Sequence, residues 1–295
     1  MSRVLLTNGV YARELGRLPK TITVLDTDRP IGQRASAAKV HVEQGNVRLE
    51  IDRLSTIHFL PFRSPFESSD IKVPAAALYD GVALVVTLQN LGFTIRNDPG
   101  AWLRAYDRSI LFALAEIIDI PRTELVQGLD RLRPPQDGAA YLVKSGLGIK
   151  KAHRGEYLAA AVMPPGLADL RVPKQQRYAV QRYLPAEREV RAFVVGGEMK
   201  RCLCFEMPLG SAAAPDWRDE LEGRRMRVSA VADGKLEQLC LAVLDRLGLD
   251  YVCLDLLFAE GRWQLVDVNP HGSWSWLPKA AAGEVRRLLR QYLTN

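Results

Sequence analysis

Three oxygen-bearing side chains near the C-terminus, Asp255, Asp267 and Asn269, have the type and spacing to hold a divalent cation. They lie in two apolar runs, Leu249 to Phe258 and Trp263 to Pro270, separated by Glu260-Gly261, a pattern that predicts a β-hairpin. Side chains two apart on a strand point the same way, so Asp267 and Asn269 share a face, and pairing across the turn can set Asp255 opposite them. Carboxylate and amide oxygens are hard donors that suit magnesium, which keeps several waters and takes further ligands from phosphates. Acids in an apolar hairpin are otherwise costly to bury. Spacing alone leaves a second reading open, in which both acids lie on a wet face and Asn269 makes a turn with Pro270.

Elements upstream must position these groups. The chain has 295 residues, 47% hydrophobic and 25% charged, which is enough to bury a core in two or three lobes. In the first hundred residues, strand candidates at Val4 to Thr7, Thr21 to Leu25, Val47 to Ile51 and Ile57 to Leu60 mix with a helical stretch near Pro74 to Tyr79. Val82 to Leu88 is strand or helix by periodicity. Asn97-Asp98-Pro99-Gly100 starts a helix, with Asn97 or Asp98 as N-cap and Pro99 in the first turn, whose apolar positions run through Leu103, Tyr106, Ile110 and Leu114. It stops before Ile120-Pro121. Strands are expected at Ala140 to Lys144 and Tyr178 to Tyr183, then a hairpin of Val190 to Val195 and Glu198 to Phe205 around Gly196-Gly197. Helices are expected at about 235 to 247 and 284 to 293. The implied division is an α/β N-terminal lobe over 1–96, a central lobe over 97–180 and a C-terminal lobe over 181–295.

Composition removes several classes. No apolar run reaches the roughly 20 residues that cross a bilayer, and Met1-Ser2-Arg3 leads into a strand-like segment rather than a signal sequence, so no membrane role and a cytoplasmic location are expected. The net charge of +6 suits an acidic partner or none, and the basic groups Arg131 to Arg133, Lys150-Lys151 and Arg224 to Arg227 lack the interleaved aromatics of a nucleic-acid platform. Four cysteines are too few for a disulfide scaffold. Cys202 and Cys204 lack the second ligand pair of a structural zinc site, and all four are expected as small buried hydrophobes.

The sequence resembles the ATP-grasp superfamily on motifs that occur in order. Asp255, Asp267 and Asn269 match its magnesium ligands, with Asp267 where most members carry Glu. Tyr106-Asp107-Arg108 stands where Asp-Lys is usual, with Arg108 for Lys. Pro121-Arg122-Thr123 resembles the opening of the nucleotide lobe, and Val143-Lys144 the lysine strand. Gln181-Arg182-Tyr183-Leu184 resembles the adenine hinge, and Glu189-Val190-Arg191 the Glu/Asp-x-Arg that opens the last lobe. What the resemblance implies is an ATP-grasp fold of α/β and α+β lobes with a C-terminal antiparallel sheet, binding ATP and Mg2+. Lys144 and Arg108 would meet phosphate, residues 181–184 the adenine, and Glu187 or Glu189 the ribose hydroxyls. The glycine loop after the lysine strand is short, Ser145 to Lys151.

Two motifs narrow the resemblance. Asn269-Pro270-His271-Gly272-Ser273-Trp274-Ser275-Trp276 resembles the Asn-Pro-x-Gly-x-Trp-x-Trp ending of graspetide synthetases, the microviridin-type peptide-cyclising ligases, and Pro215-Asp216-Trp217-Arg218 their Asp-Trp-Arg. The tryptophans also suit plain packing. The implied partner is a precursor peptide with a leader and an acidic, hydroxyl- or Lys-containing core, and a homodimer is left open. Arg191 and Arg218 are the candidates for gripping γ-phosphate, acyl phosphate or substrate carboxylate, because a guanidinium engages such oxygens in pairs. An amino-acid or small-molecule carboxylate-amine ligase, and a degenerate binding module without catalysis, are the alternatives.

Overall fold

A computed structural model of the chain describes residues 3–7, 9–27, 29–36, 38–60, 75–127, 139–145, 152–153, 156–157, 161–162, 177–209 and 227–295. The N-terminal part holds β1 (Arg3–Thr7), α1 (Gly9–Leu15), β2 (Ile22–Asp26), β3 (Gly32–Ala35), β4 (Lys39–Gln44), β5 (Val47–Asp52), β6 (Thr56–Phe59), α2 (Ala75–Asn90) and β7 (Ile95–Arg96). A parallel sheet runs β2-β1-β6-β7, in which β1 buries Val4, Leu5 and Leu6, and β6 buries Ile57 beside His58. The meander β3-β4-β5 is inserted between β2 and β6. Val82 to Leu88, ambiguous by periodicity, is helical within α2 and buries Leu84, Val85 and Leu88 against the sheet.

The single helix expected after Asn97 is two, α3 (Pro99–Tyr106) and α4 (Ile110–Leu114), broken at Asp107-Arg108-Ser109. Asp98 is the N-cap, accepting from the Ala101 amide at 2.7 Å, and Pro99 occupies the first turn as expected. Asn97 instead sits buried at φ 62 and ties the parts together. Its side chain donates to the Phe59 carbonyl and accepts from the Tyr251 amide, while its own amide donates to Asp250.

The central antiparallel sheet has the order β12-β9-β13-β8, from β8 (Thr123–Gln127), β9 (Tyr141–Ser145), β12 (Ala161–Val162) and β13 (Arg177–Arg182), with β10 (Ala152–His153) and β11 (Glu156–Tyr157) paired separately. The C-terminal sheet is antiparallel throughout, β16-β15-β14-β17-β18, from β14 (Arg188–Val195), β15 (Arg201–Met207), β16 (Ser229–Val231), β17 (Tyr251–Ala259) and β18 (Arg262–Asn269). Between β16 and β17 lies α5 (Gly234–Leu247), capped by the Asp233 side chain and by Gly248 at φ 67, and the chain closes with α6 (Lys279–Thr294).

Two hairpins test the turn chemistry. Glu260-Gly261 is the expected two-residue turn, with φ 54 and 75 between the paired residues Ala259 and Arg262. Gly196-Gly197 is not: the last pair is Val195 with Arg201, so residues 196–200 form the connection. Gly196 is needed for packing instead, because its amide donates to the Asp250 carbonyl and an added Cβ would lie 3.0 Å from Leu244 Cδ2.

One face of the C-terminal sheet is sealed by α3, α4 and α5 through an apolar cluster that includes Trp102, Leu114, Val243, Leu244, Leu254 and Val268. Residues 97–118 thus pack on the C-terminal sheet rather than within the central sheet. Half of the other face is covered by α1 and α6, whose Val285, Leu288, Leu289 and Tyr292 meet Phe193, Tyr251 and Cys253. The rest of that face borders the central sheet.

Candidate active site

On that uncovered stretch, a single row crosses three strands. Arg191 on β14 pairs with Asp255 on β17, and Asp255 pairs with Asp267 on β18. Residues directly opposite in neighbouring strands point to the same side. A regular ladder counted from the Glu260-Gly261 turn would have placed Asp255 opposite Val266 and sent Asp267 into the apolar cluster. The register shifts between Asp255 and Leu256, so Leu256 pairs with Leu265, Asp255 with Asp267, and Val266 is the extra residue of a β-bulge. The bulge lets Leu265 face the core while Asp267 and Asn269 face the row.

The two carboxylates are held by two guanidinium groups. Arg191 Nη2 donates to Asp255 Oδ2 at 3.0 Å and its Nε lies 2.8 Å from Oδ1. Arg108 Nη1 donates to Asp267 Oδ1 at 2.6 Å and Nη2 to Oδ2 at 3.3 Å, a forked pair. The break between α3 and α4 delivers Arg108 here. Asp107, which ends α3, accepts from the Ser109 amide and from Arg177 Nη1 at 2.9 Å, so it pins the loop to β13. Asn269 Nδ2 donates to Asp255 Oδ2 at 3.0 Å, bringing the third predicted ligand into the same group.

Lys144 joins from the central sheet. Its Nζ donates to Gln181 Oε1 at 2.7 Å and to the carbonyl of Val266, the bulge residue, at 3.2 Å. Gln181 Nε2 donates in turn to Thr123 Oγ1 at 3.1 Å, so the matched positions on β8, β9 and β13 form one chain. Burial, reinforced by the neighbouring Arg108, brings the Lys144 ammonium down to about 8 against the pull of Asp267, Asp255 and Glu189. Burial would raise Asp267, but Arg108, Lys144 and Arg191 outweigh it and hold the carboxyl below its usual range. Burial would lower Arg191, and Asp255 outweighs that, so the guanidinium stays charged.

The remaining predicted positions are placed as follows. The amides of Arg182 and Tyr183 donate to the carbonyls of Arg122 and Ala140, and the Arg182 guanidinium lies 3.6 Å from Glu260, away from the row. Leu184 is buried, and among the described residues its amide has no acceptor. Glu187 is exposed with its amide on the Phe258 carbonyl; Glu189 is half-buried and close enough to influence Lys144. Arg218 and its Asp-Trp-Arg motif lie outside the described residues, as do most of the Ser145 to Lys151 turn and the segment 163–176.

The Asn-Pro-x-Gly-x-Trp-x-Trp segment serves two ends. Gly272 lets the chain pass against β17: a Cβ there would sit 2.1 Å from Cys253 Cβ, and the Gly272 carbonyl accepts from Tyr251 Oη at 2.7 Å. Trp274 is fully buried, edge-on to Tyr11 at 4.5 Å, which is packing. Trp276 lies with its ring centroid 4.9 Å from the Arg191 guanidinium carbon, a second contact on the side chain that Asp255 holds. His271 stacks on Tyr106 with a ring nitrogen 2.5 Å from the hydroxyl, linking Asn269 to the end of α3. Asp107 and His271 lie inside motifs that gave them no role, and no sequence signal singled out Arg177; each acts through a contact between elements far apart in the chain.

Two carboxylates and an adjacent amide, their charge balanced by two guanidinium groups, are the oxygen donors a divalent cation could use here. The donors are hard oxygens with no thiol or imidazole nitrogen among them, so they fit magnesium rather than a softer ion. An open cavity of about 720 Å3 lies elsewhere, between β15, β16 and the start of α5, and is lined by none of these residues.

No protein-family model matches the chain, and no curated protein matches it in sequence. Solved structures do match in three dimensions. A RiPP-associated ATP-grasp ligase from Chryseobacterium gregarium, in complex with ADP and a leader and core peptide, matches at TM-score 0.72 with 16% identity, over 99% of this chain and 96% of its own. The macrocyclase MdnC of Microcystis aeruginosa MRC, bound with precursor peptide MdnA, matches at 0.71 with 14% identity, over 100% and 99%. The ATP-grasp ligase PsnB, complexed with minimal precursor, Mg and ADP, matches at 0.66 with 13% identity, over 99% and 97%. The likeness at these identities is one of fold and runs the length of the chain: the protein has the ATP-grasp fold of RiPP-associated ligases.

Proposed function

We propose that the chain is an ATP- and magnesium-dependent ligase that activates side-chain carboxylates of a ribosomally made precursor peptide and closes them intramolecularly as esters or amides. The observation that carries this reading is the row Arg191, Asp255, Asp267, with Asn269 beside it, on the open part of the C-terminal sheet. It is supported by the fold shared end to end with ligases solved with ADP, Mg and precursor peptides.

The chemistry requires a carboxylate, a poor electrophile, to become an acyl phosphate before a hydroxyl or amine displaces phosphate. A magnesium ion held by Asp255, Asp267 and Asn269 would supply charge neutralisation of the phosphates. The chain's own residues supply position. Arg108, forked on Asp267, keeps a guanidinium at the edge of the group, where it would face phosphate. Arg191, fixed between Asp255 and Trp276, presents a fork to the substrate carboxylate or acyl phosphate. Lys144 offers a point charge for phosphate from the opposite sheet. The Leu184 amide is the hinge donor left for a purine edge, because those of Arg182 and Tyr183 are already engaged. Glu187 and Glu189 are assigned to the ribose hydroxyls on their motif. Arg218 is assigned to the substrate carboxylate on its motif.

The test is to incubate the protein with ATP, magnesium and a candidate precursor peptide encoded beside it, and to follow peptide mass and phosphate release. The expected result is loss of one water per link, dependent on the leader. Phosphate release with free amino acids and no leader requirement would favour a small-molecule ligase. Binding of nucleotide without any release would favour a non-catalytic module.

A further inference from the structure

Three of the four cysteines converge on the other face of the same sheet. Cys202 and Cys204, two apart on β15, point together toward α5, where Cys240 meets them. The three sulfurs all lie within 4.8 Å of one another, with 3.4 Å between Cys202 and Cys204. Sulfurs around one tetrahedral or trigonal ion at a metal–sulfur distance of about 2.3 Å stand about 3.8–4.0 Å apart, inside the observed interval. Cys204 and Cys240 are buried, whereas Cys202 is half-exposed and gives the cluster an edge toward solvent.

A disulfide fits the arrangement less well. Residues two apart on one strand have Cα atoms about 6.7 Å apart, at the upper end of the range a disulfide spans. A bond to Cys240 would leave the remaining thiol crowded against it. A shared ion engages all three sulfurs without moving the backbone. Glu237, one turn before Cys240 on α5, ties the helix to the same strand, its Oε1 accepting from the Cys202 amide at 3.3 Å.

We propose that Cys202, Cys204 and Cys240 bind one zinc ion through their three sulfurs, as a structural clamp that fastens α5 to β15. The site is separate from the carboxylate row. Cys204 pairs with Ala192 and through it with Leu254, the row adjacent to Arg191-Asp255-Asp267 but pointing through the opposite face.

The experiment uses the full-length reduced protein, equilibrated with Zn(II), desalted and analysed by elemental mass spectrometry, then titrated with Co(II) as a spectroscopic probe. The expected result is one zinc per chain that excess magnesium does not remove, and a thiolate-to-cobalt charge-transfer band in the near ultraviolet. Cys202→Ser and Cys240→Ser should both lose the band, and Asp267→Asn should keep it. Circular dichroism identifies any variant that has not folded; the half-exposed Cys202 is the mildest change, and its folded form decides the matter alone. Wild-type protein that is folded yet shows no band, a band that survives in folded Cys202→Ser, or three thiols equally reactive to a disulfide reagent with and without zinc would each overturn the proposal.

Discussion

Two adjacent rows of the C-terminal sheet, one residue apart along each strand, have opposite characters. Ala192, Leu254 and Val268 face the helices α3 to α5 and are 0%, 0% and 7% exposed. Arg191, Asp255 and Asp267 face the other way, and their charges are held by each other and by Arg108. The apolar row stabilises the sheet by removing hydrocarbon from water. The charged row gains little net stability, because desolvation offsets most of the attraction between buried ions. It holds four charged side chains at fixed distances before any ligand arrives, which is the preorganisation that phosphoryl chemistry needs. One ladder carries both because strand pleating sends successive rows to opposite faces.

Substitutions can separate the two rows. Asp267→Asn should lower phosphate release with precursor peptide by on the order of 10²–10³-fold, the scale of losing one preorganised charge contact, with little change in circular dichroism; near-normal turnover would mean the row is not the metal site. Leu254→Ala should do the reverse, costing about 2–5 kcal/mol in chemical denaturation while leaving turnover per folded molecule within about twofold. If turnover fell with stability intact, the division between the rows would be wrong.

Gly272→Ala tests the segment that joins both. Its Cβ would meet Cys253 Cβ at 2.1 Å, so the chain after Asn269 must shift, with an expected loss of about 1–3 kcal/mol and weaker magnesium dependence of turnover. Weakening of stability alone would confine the glycine to packing. A smaller effect follows from Lys144, which burial lowers from 10.5 to about 8. The folded protein loses this proton as pH rises through about 8 while the unfolded chain keeps it to 10.5. The positive charge at Lys144 therefore fades above pH 8, and the stability of the nucleotide-free protein rises over the same window. Fluorescent-nucleotide titration should show affinity falling by up to about tenfold per pH unit there, with Lys144→Met flat. Lys39→Ala, which removes the exposed pair with Glu50 on the inserted meander, should leave the denaturation midpoint unchanged. A measurable shift there would show that burial is not what distinguishes the central pairs.

Much of this site was legible along the chain because its signals are local. Asp255, Asp267, Asn269 and the Glu260-Gly261 turn sit within fifteen residues, where alternation and turn chemistry act on the backbone directly. Lys144 and Gln181 were found by motif, and their hydrogen bond to each other was not, since it depends on the register of β9 against β13. The helix break at Asp107-Arg108-Ser109 was missed because the apolar spacing of α3 continues in phase into α4. The cysteines were set aside as a pair because the third sulfur arrives from a helix thirty-odd residues downstream.

The sequence by itself determined which residue types could do chemistry, the hairpin, its turn and the apolar rows, because residue type and period two are properties of neighbours. Only the tertiary structure decided that Asp267 faces Asp255 at all. A strict count from the turn sends it into the core, and one extra residue at Val266 reverses that. Nothing local distinguishes the two registers. Burying Leu265 and Val268 beneath the helices while keeping Asp267 out of the apolar core selects the bulge, and that preference exists only once α3, α4 and α5 have packed on the sheet.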